Sequence, residues 1–179
     1  MIQENQFRML QDEYLHRIQK TDTSNKRYLY HQINWDARLI CIRGARGTGK
    51  TTMILQYIKE HYNNLSKALY ISLDNFQFQL ITLYDVAEYA HTHGIEALFV
   101  DEIHYTKHWG QMLKQVFDTF SNLKIVYTGS SMLQIDAVIK LRVESALLVL
   151  DADALAELDA LDSSVLCCGD LSLSPSVVD

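Results

Sequence analysis

The sequence predicts an α/β fold: a parallel sheet of about five strands, flanked by helices. Two observations carry this expectation. Short apolar runs alternate with amphipathic stretches of helix length, and the first of those runs ends in a glycine-rich loop. No fixed-period repeat competes with this reading.

Near the start, Phe7, Leu10, Tyr14, Leu15 and Ile18 recur at helical spacing and predict a helix to about Lys20. A polar run from Thr21 to Lys26 ends it, so residues 1–25 form an N-terminal helix and linker. From Arg38 the run RLICIRG has the pattern of a buried parallel strand entering a tight turn. Helical spacing then resumes through Ile54, Ile58 and Tyr62. ALYISL from Ala68 and ALFVDE from Ala97 supply two more strands. Between them, Leu83, Val86, Ala87 and Ala90 share one face of a helix predicted over Thr82 to His93. A further helix, from about His108 to Phe120, carries Trp109, Met112, Leu113, Val116, Phe117 and Phe120 on one side. KIVYTG is the fourth strand, ending at Gly129, and AVIKLRVESALLVL from Ala137 holds one more. A domain boundary is expected near Leu150, giving a main domain of 26–150. Residues 151–179 are then an acidic, low-complexity tail, expected to be a solvated, poorly ordered end.

With 179 residues, 48% of them hydrophobic and 21% charged, the chain has the composition of a folded globular domain. The net charge of -6 is uneven: residues 1–140 hold 15 basic against 14 acidic side chains, and 141–179 hold one against eight. No basic stripe emerges of the sort that binds nucleic acid by phosphate neutralisation, so a nucleic-acid partner is not supported. No stretch reaches the roughly 18 apolar residues of a membrane span, and the N-terminus lacks a signal-peptide pattern, which makes the cytoplasm the default expectation. Cys41, Cys167 and Cys168 form neither a disulfide framework nor a spaced metal set and are read as reduced structural thiols.

The chemistry lies in Gly44-Ala45-Arg46-Gly47-Thr48-Gly49-Lys50-Thr51-Thr52, which satisfies the P-loop (Walker A) pattern in full and sits between a predicted strand and a predicted helix. That context is what phosphate binding requires, because backbone N–H groups and a helix N-terminus must point together at the anion. Gly44, Gly47 and Gly49 are expected to allow positive φ and close approach of backbone to phosphate. Lys50 is expected at the β and γ phosphates, and the Thr51 hydroxyl on Mg²⁺. Asp101, ending a buried strand, is the matching Mg²⁺ partner, and Glu102 is placed to polarise the attacking water. Past the fourth strand, Ser130, with Thr128 next in preference, is a candidate to contact the γ-phosphate or the water; hydroxyls capping a helix from Met132 are the equal alternative. Asp74 and Asn75 face the same edge, though an ordinary turn explains them as well. His104 and His108 have helical spacing but no third ligand, so a surface loop with aromatic anchors is preferred to a zinc site. Arg43 and Arg46 are expected to face solvent or a partner.

Taken in order and spacing, GARGTGKTT, ALYISLDN, ALFVDEIHY and KIVYTGSS resemble the P-loop half of a bacterial and archaeal AAA+ ATPase family, over roughly residues 26–136. In that family the AAA domain precedes a C-terminal domain of unsettled role. The resemblance implies that Gly49, Lys50, Thr51 and Thr52 contact nucleotide, that Asp101 and Glu102 form the Walker B motif, and that Ser130 holds the sensor position. It also implies ATP and Mg²⁺ as ligands, ATP hydrolysis as the activity, and a homo-oligomer for the complete family form. The arginine-bearing segment, helical lid and C-terminal domain of that family have no counterpart here beyond Arg142, and the chain is expected to be a truncated or frame-altered member. Two other classes fit less well. A nucleotide-binding switch without turnover is the runner-up. A small-molecule kinase lacks its arginine-rich lid segment, and a GTPase lacks an Asn-Lys-x-Asp stretch after the fourth strand.

Overall fold

The computed structural model describes residues 2–75, 81–129 and 147–151 of the chain. Its elements run α1 (Glu4–Lys20), α2 (Tyr28–Gln32), β1 (Leu39–Arg43), α3 (Lys50–His61), β2 (Ala68–Ser72), α4 (Leu83–Thr92), β3 (Ala97–Asp101), α5 (Trp109–Thr119), β4 (Lys124–Gly129) and β5 (Leu147–Asp151). The five strands form one sheet in the order β2-β3-β4-β1-β5, with every pairing parallel.

This order follows from where apolar residues fall. The runs LICIR, ALYIS and ALFVD are apolar on both sides of the pleat, as strands of a parallel sheet covered on both faces must be. Leu98, Phe99 and Val100 are wholly buried, each contributing about 1.5–3 kcal/mol of transfer free energy. The chain moves from β1 across to the far edge at β2 and then returns through β3 to β4. Right-handed crossovers therefore place α3 on one face and α4 and α5 on the other. Contacts agree: α1 packs on α3 and β2, while α4 packs on α5.

The helices follow their apolar faces. Phe7, Leu10, Tyr14 and Ile18 line the buried side of α1, while Leu15, expected on that side, is 37% exposed. One residue past Tyr14, it lies about 100° away from the seam. Thr82 caps α4 by a reciprocal pair: its hydroxyl accepts from the Asp85 N–H at 3.1 Å, and the Asp85 carboxylate accepts from the Thr82 N–H at 3.2 Å. Gly94, at φ 71, ends the helix. One element departs from the sequence reading: the short helix α2, just past the polar linker, was not predicted because five residues are too few to show a period. Of the last predicted strand, residues 147–151 are described; they form β5, which pairs with β1 from Leu39↔Leu147 to Arg43↔Asp151. The expected tail of 151–179 lies outside the described residues apart from Asp151.

Cys41 is buried in β1, where desolvation pushes its thiol up to about 11, in keeping with a structural role. Among the described residues, no helix is long and apolar enough to cross a membrane.

Candidate functional site

Because all strands are parallel, the residues that end β1, β4, β3 and β2 meet at one edge of the sheet. The glycine loop leaves β1 there. Gly44 continues the ladder, its N–H donating to the Gly129 carbonyl at 3.3 Å. Its φ is not positive, contrary to expectation, because a residue still paired with a neighbouring strand keeps extended geometry. Gly47 and Gly49 do take positive φ, at 88° and 78°. Gly49 is the N-cap of α3, and the left-handed turn there lets the loop swing directly into the helix.

The Gly49 position is tight as well as left-handed. A β-carbon there would stand 2.7 Å from Arg27 Nε. Gly49→Ala is therefore expected to lower stability by about 1–2 kcal/mol, the usual cost of a left-handed alanine. In a chain of this size that is a fall of about 2–8 °C in thermal midpoint. An unchanged midpoint in a melting experiment would show that the loop can reach α3 by another route.

Lys50 opens α3 and is only 5% exposed. Its Nζ turns back across the loop, donating to the carbonyls of Gly44 at 2.7 Å and Ala45 at 2.8 Å. Thr51, next along, points away from Lys50 toward β3 and donates its hydroxyl to Asp101 Oδ2 at 2.6 Å. Ala45, Arg46, Gly47 and Thr52 are exposed around the loop, and Thr48 closes it by donating its hydroxyl to the Ala45 carbonyl at 2.9 Å.

Asp101 is 3% exposed and is held by three hydroxyls. Besides Thr51, Tyr70 donates to Oδ2 at 2.8 Å, and Thr128 donates a short hydrogen bond to Oδ1. Burial, followed by the adjacent Asp101 charge, raises the Tyr70 pKa well above its ordinary value, so this phenol stays a donor. Thr51 and Asp101 thus bring two hard oxygens side by side at the loop. That donor set fits Mg²⁺, which keeps much of its water and takes only one or two protein ligands beside phosphate oxygens.

Glu102 has φ 54, a left-handed conformation that costs a non-glycine residue about 1–3 kcal/mol. Thr128 supports it, its Oγ1 accepting from the Glu102 N–H at 3.0 Å. One threonine hydroxyl therefore ties the Asp101 carboxylate to the Glu102 backbone. Glu102 lines a pocket with Lys50, Arg46, Asp74, His104 and Tyr105, and its Oε2 lies 3.3 Å from His104 Nδ1.

Other residues singled out by the sequence sort differently here. Ser130, Ser131 and Arg142 lie outside the described residues, as does any helix from Met132. Asp74 lines the pocket, but Asn75 turns away and donates to Glu13 of α1 at 2.8 Å. Arg46 is exposed as expected, whereas Arg43, packed at the end of β1, is half-buried. His104 and His108 do not share a helix: His104 sits in a short 3₁₀ turn, and His108 is the left-handed N-cap of α5. Trp109 packs against the core, whereas Tyr105 is 61% exposed and rests against the His104 ring at 4.7 Å. Tyr70 was missed because a tyrosine inside an apolar strand looks like core; only its register, with Ser72 opposite Asp101, brings its hydroxyl to the carboxylate.

The parallel sheet, the glycine loop capping α3 and the carboxylate ending β3 define a P-loop NTPase fold with a nucleotide-binding domain of the AAA type. A family model described as an AAA domain matches residues 36–146, more than half of the chain, and the chain belongs to that family. A curated relative, the uncharacterized protein MJ1637 of Methanocaldococcus jannaschii, is 38% identical over 108 residues, 54% of this chain and 22% of that protein. The chain thus spans about a fifth of the length of the curated relative it matches. Among solved structures, domain III of the Thermotoga maritima replication initiation protein DnaA is similar at 18% identity and TM-score 0.49, over 69% of this chain and 60% of that one. AMPPCP-bound DnaA from Aquifex aeolicus is similar at 16% identity and TM-score 0.48, over 91% and 52%.

Proposed function

We propose that this domain binds ATP with Mg²⁺ and hydrolyses it. The observation that supports this best is the 2.6 Å bond between Thr51 and Asp101, with Glu102 following at the mouth of the Lys50 pocket. A cradle, a metal pair and a carboxylate facing the same pocket are the parts that phosphoryl transfer to water needs.

In this reading, backbone N–H groups from Gly44 to Thr52 bind the phosphates, and Lys50 exchanges its two loop carbonyls for β and γ phosphate oxygens. Thr51 and Asp101 hold Mg²⁺, which when bound neutralises charge on the β and γ phosphates. Glu102 accepts a proton as water attacks: an O–Pγ bond forms, the bond from Pγ to the β–γ bridging oxygen breaks, and ADP leaves with that oxygen. Tyr70 and Thr128 keep Asp101 oriented throughout. A homo-oligomer, by resemblance to the complete family form, and a cytoplasmic setting, as the default the sequence suggests, belong to the same reading.

Turnover should depend on the Thr51–Asp101 pair through the metal. With Asp101→Asn, the Mg²⁺ concentration for half-maximal phosphate release is expected to rise at least about tenfold, because a neutral amide is a poorer ligand and disturbs its hydroxyl donors. Phosphate release titrated with Mg²⁺ in both proteins measures this, and superimposable curves would remove Asp101 from the metal site. A switch without turnover is the second reading; the Glu102 carboxylate, engaged by His104 at 3.3 Å, favours it.

A further inference from the structure

The linker after α1 is a strap laid along one face of α3. Gln56, 4% exposed, donates through Nε2 to the carbonyls of Asp22 and Asn25, both at 2.8 Å. Lys59 donates to the Thr21 carbonyl at 2.7 Å, and Lys26 pairs with Glu60 at 2.8 Å. At about 100° per residue, Gly49, Thr52, Gln56, Lys59 and Glu60 lie within one face of the helix, and Thr51 lies on the opposite one. The strap therefore runs toward the phosphate loop on the side away from Asp101.

Arg27 follows the strap and reaches back to the loop, with Nε 2.7 Å and Cζ 3.4 Å from where a Gly49 β-carbon would stand. It is exposed, and no carboxylate among the described residues pairs with it. A guanidinium is thus held over the first turn of α3, where N–H groups point outward. In the reading proposed above, a triphosphate held by Lys50 and Thr51 at one end would have its γ end near Asp101 and Glu102 and its α end on the Gly49 and Thr52 side.

Resting on the nucleotide-binding reading above, we infer that Arg27 binds the α-phosphate of the nucleotide, making the strap of residues 21–27 one wall of the site. Arginine suits this task, since its planar donors match phosphate oxygens two at a time. The strap contributes rigidity: Gln56, Lys59 and Glu60 fix the backbone from which Arg27 extends.

Isothermal titration of wild type, Arg27→Ala and Arg27→Lys with ATP, ADP and pyrophosphate tests the assignment. Arg27→Ala is expected to weaken ATP and ADP alike, by at least about tenfold for loss of the charge-assisted contact to one phosphate group, and to leave pyrophosphate, which has no α-phosphate, unchanged. Arg27→Lys, which keeps the charge but not the paired planar donors, should recover only part of the ATP affinity. Equal ATP binding by wild type and Arg27→Ala would overturn the assignment, as would tighter binding by the variant, which would make Arg27 a shield over the empty loop. Equal loss of pyrophosphate would overturn it too, by showing general support of the loop. If wild type itself binds no ATP, the underlying nucleotide reading falls and this assignment with it.

Discussion

Lys50→Ala is expected to weaken ATP binding by at least about 100-fold while leaving the fold in place. In the proposed complex the Lys50 ammonium meets two phosphate groups, and charge-assisted hydrogen bonds are worth about 1.5–3 kcal/mol each, so losing both costs at least about 3 kcal/mol. The same side chain, 5% exposed, now satisfies the carbonyls of Gly44 and Ala45. The Ala45 carbonyl lies at the exposed rim of the loop, and the buried Gly44 carbonyl gains access to water once the lysine side chain is removed, so the ligand-free protein should melt within a few degrees of wild type. Mass action supplies the readout. ATP at about 100 times its dissociation constant stabilises a protein by about 2.7 kcal/mol, a rise of about 5–10 °C for a chain of this length. Wild type should show that rise and Lys50→Ala should not. An equal rise in both would place the phosphates somewhere other than this loop.

What could be seen in the sequence was whatever obeys a local rule. The loop from Gly44 to Thr52 follows a fixed spacing, and the strands around it are apolar runs ended by glycine or acid, so the cradle and its carboxylates could be placed from the sequence alone. Tertiary register was not legible. Tyr70 and Thr128 reach Asp101 from β2 and β4, the strands on either side of β3, and nothing within ALYIS or KIVYTG distinguishes a hydroxyl aimed at a carboxylate from one packed in the core. Thr128 and Ser130 are, from sequence, both hydroxyls beside a glycine, and nothing local assigns Thr128 to Asp101. Backbone conformation at Glu102 was hidden too, because a left-handed glutamate has no sequence signature. The polar linker resembled a spacer until Gln56 and Lys59 were seen to hold it to α3.

Glu102→Gln is expected to lower phosphate release by about 100-fold or more while ATP binding stays within about threefold of wild type. General bases contribute about 10²–10⁴ to rate, and glutamine keeps the size and one acceptor of glutamate but cannot take a proton. The substitution should be silent for folding. The Glu102 backbone is fixed from outside, its N–H held by Thr128 at 3.0 Å, so the strained φ of 54° is retained whatever the side chain. Binding should survive because the pocket keeps Lys50 and Arg46, and loss of a negative charge beside the phosphates removes repulsion. His104, 3.3 Å from Oε2, would lose an ionic partner and keep a neutral acceptor. Single-turnover phosphate release with ATP prebound separates the two quantities. A large fall with binding intact assigns the base to Glu102. Equal rates in both proteins, well above a Lys50→Ala control, would mean that water is activated by another group, whereas rates in all three at the uncatalysed level would leave the domain as a nucleotide-binding switch, with the Glu102–His104 contact holding the carboxylate away from water.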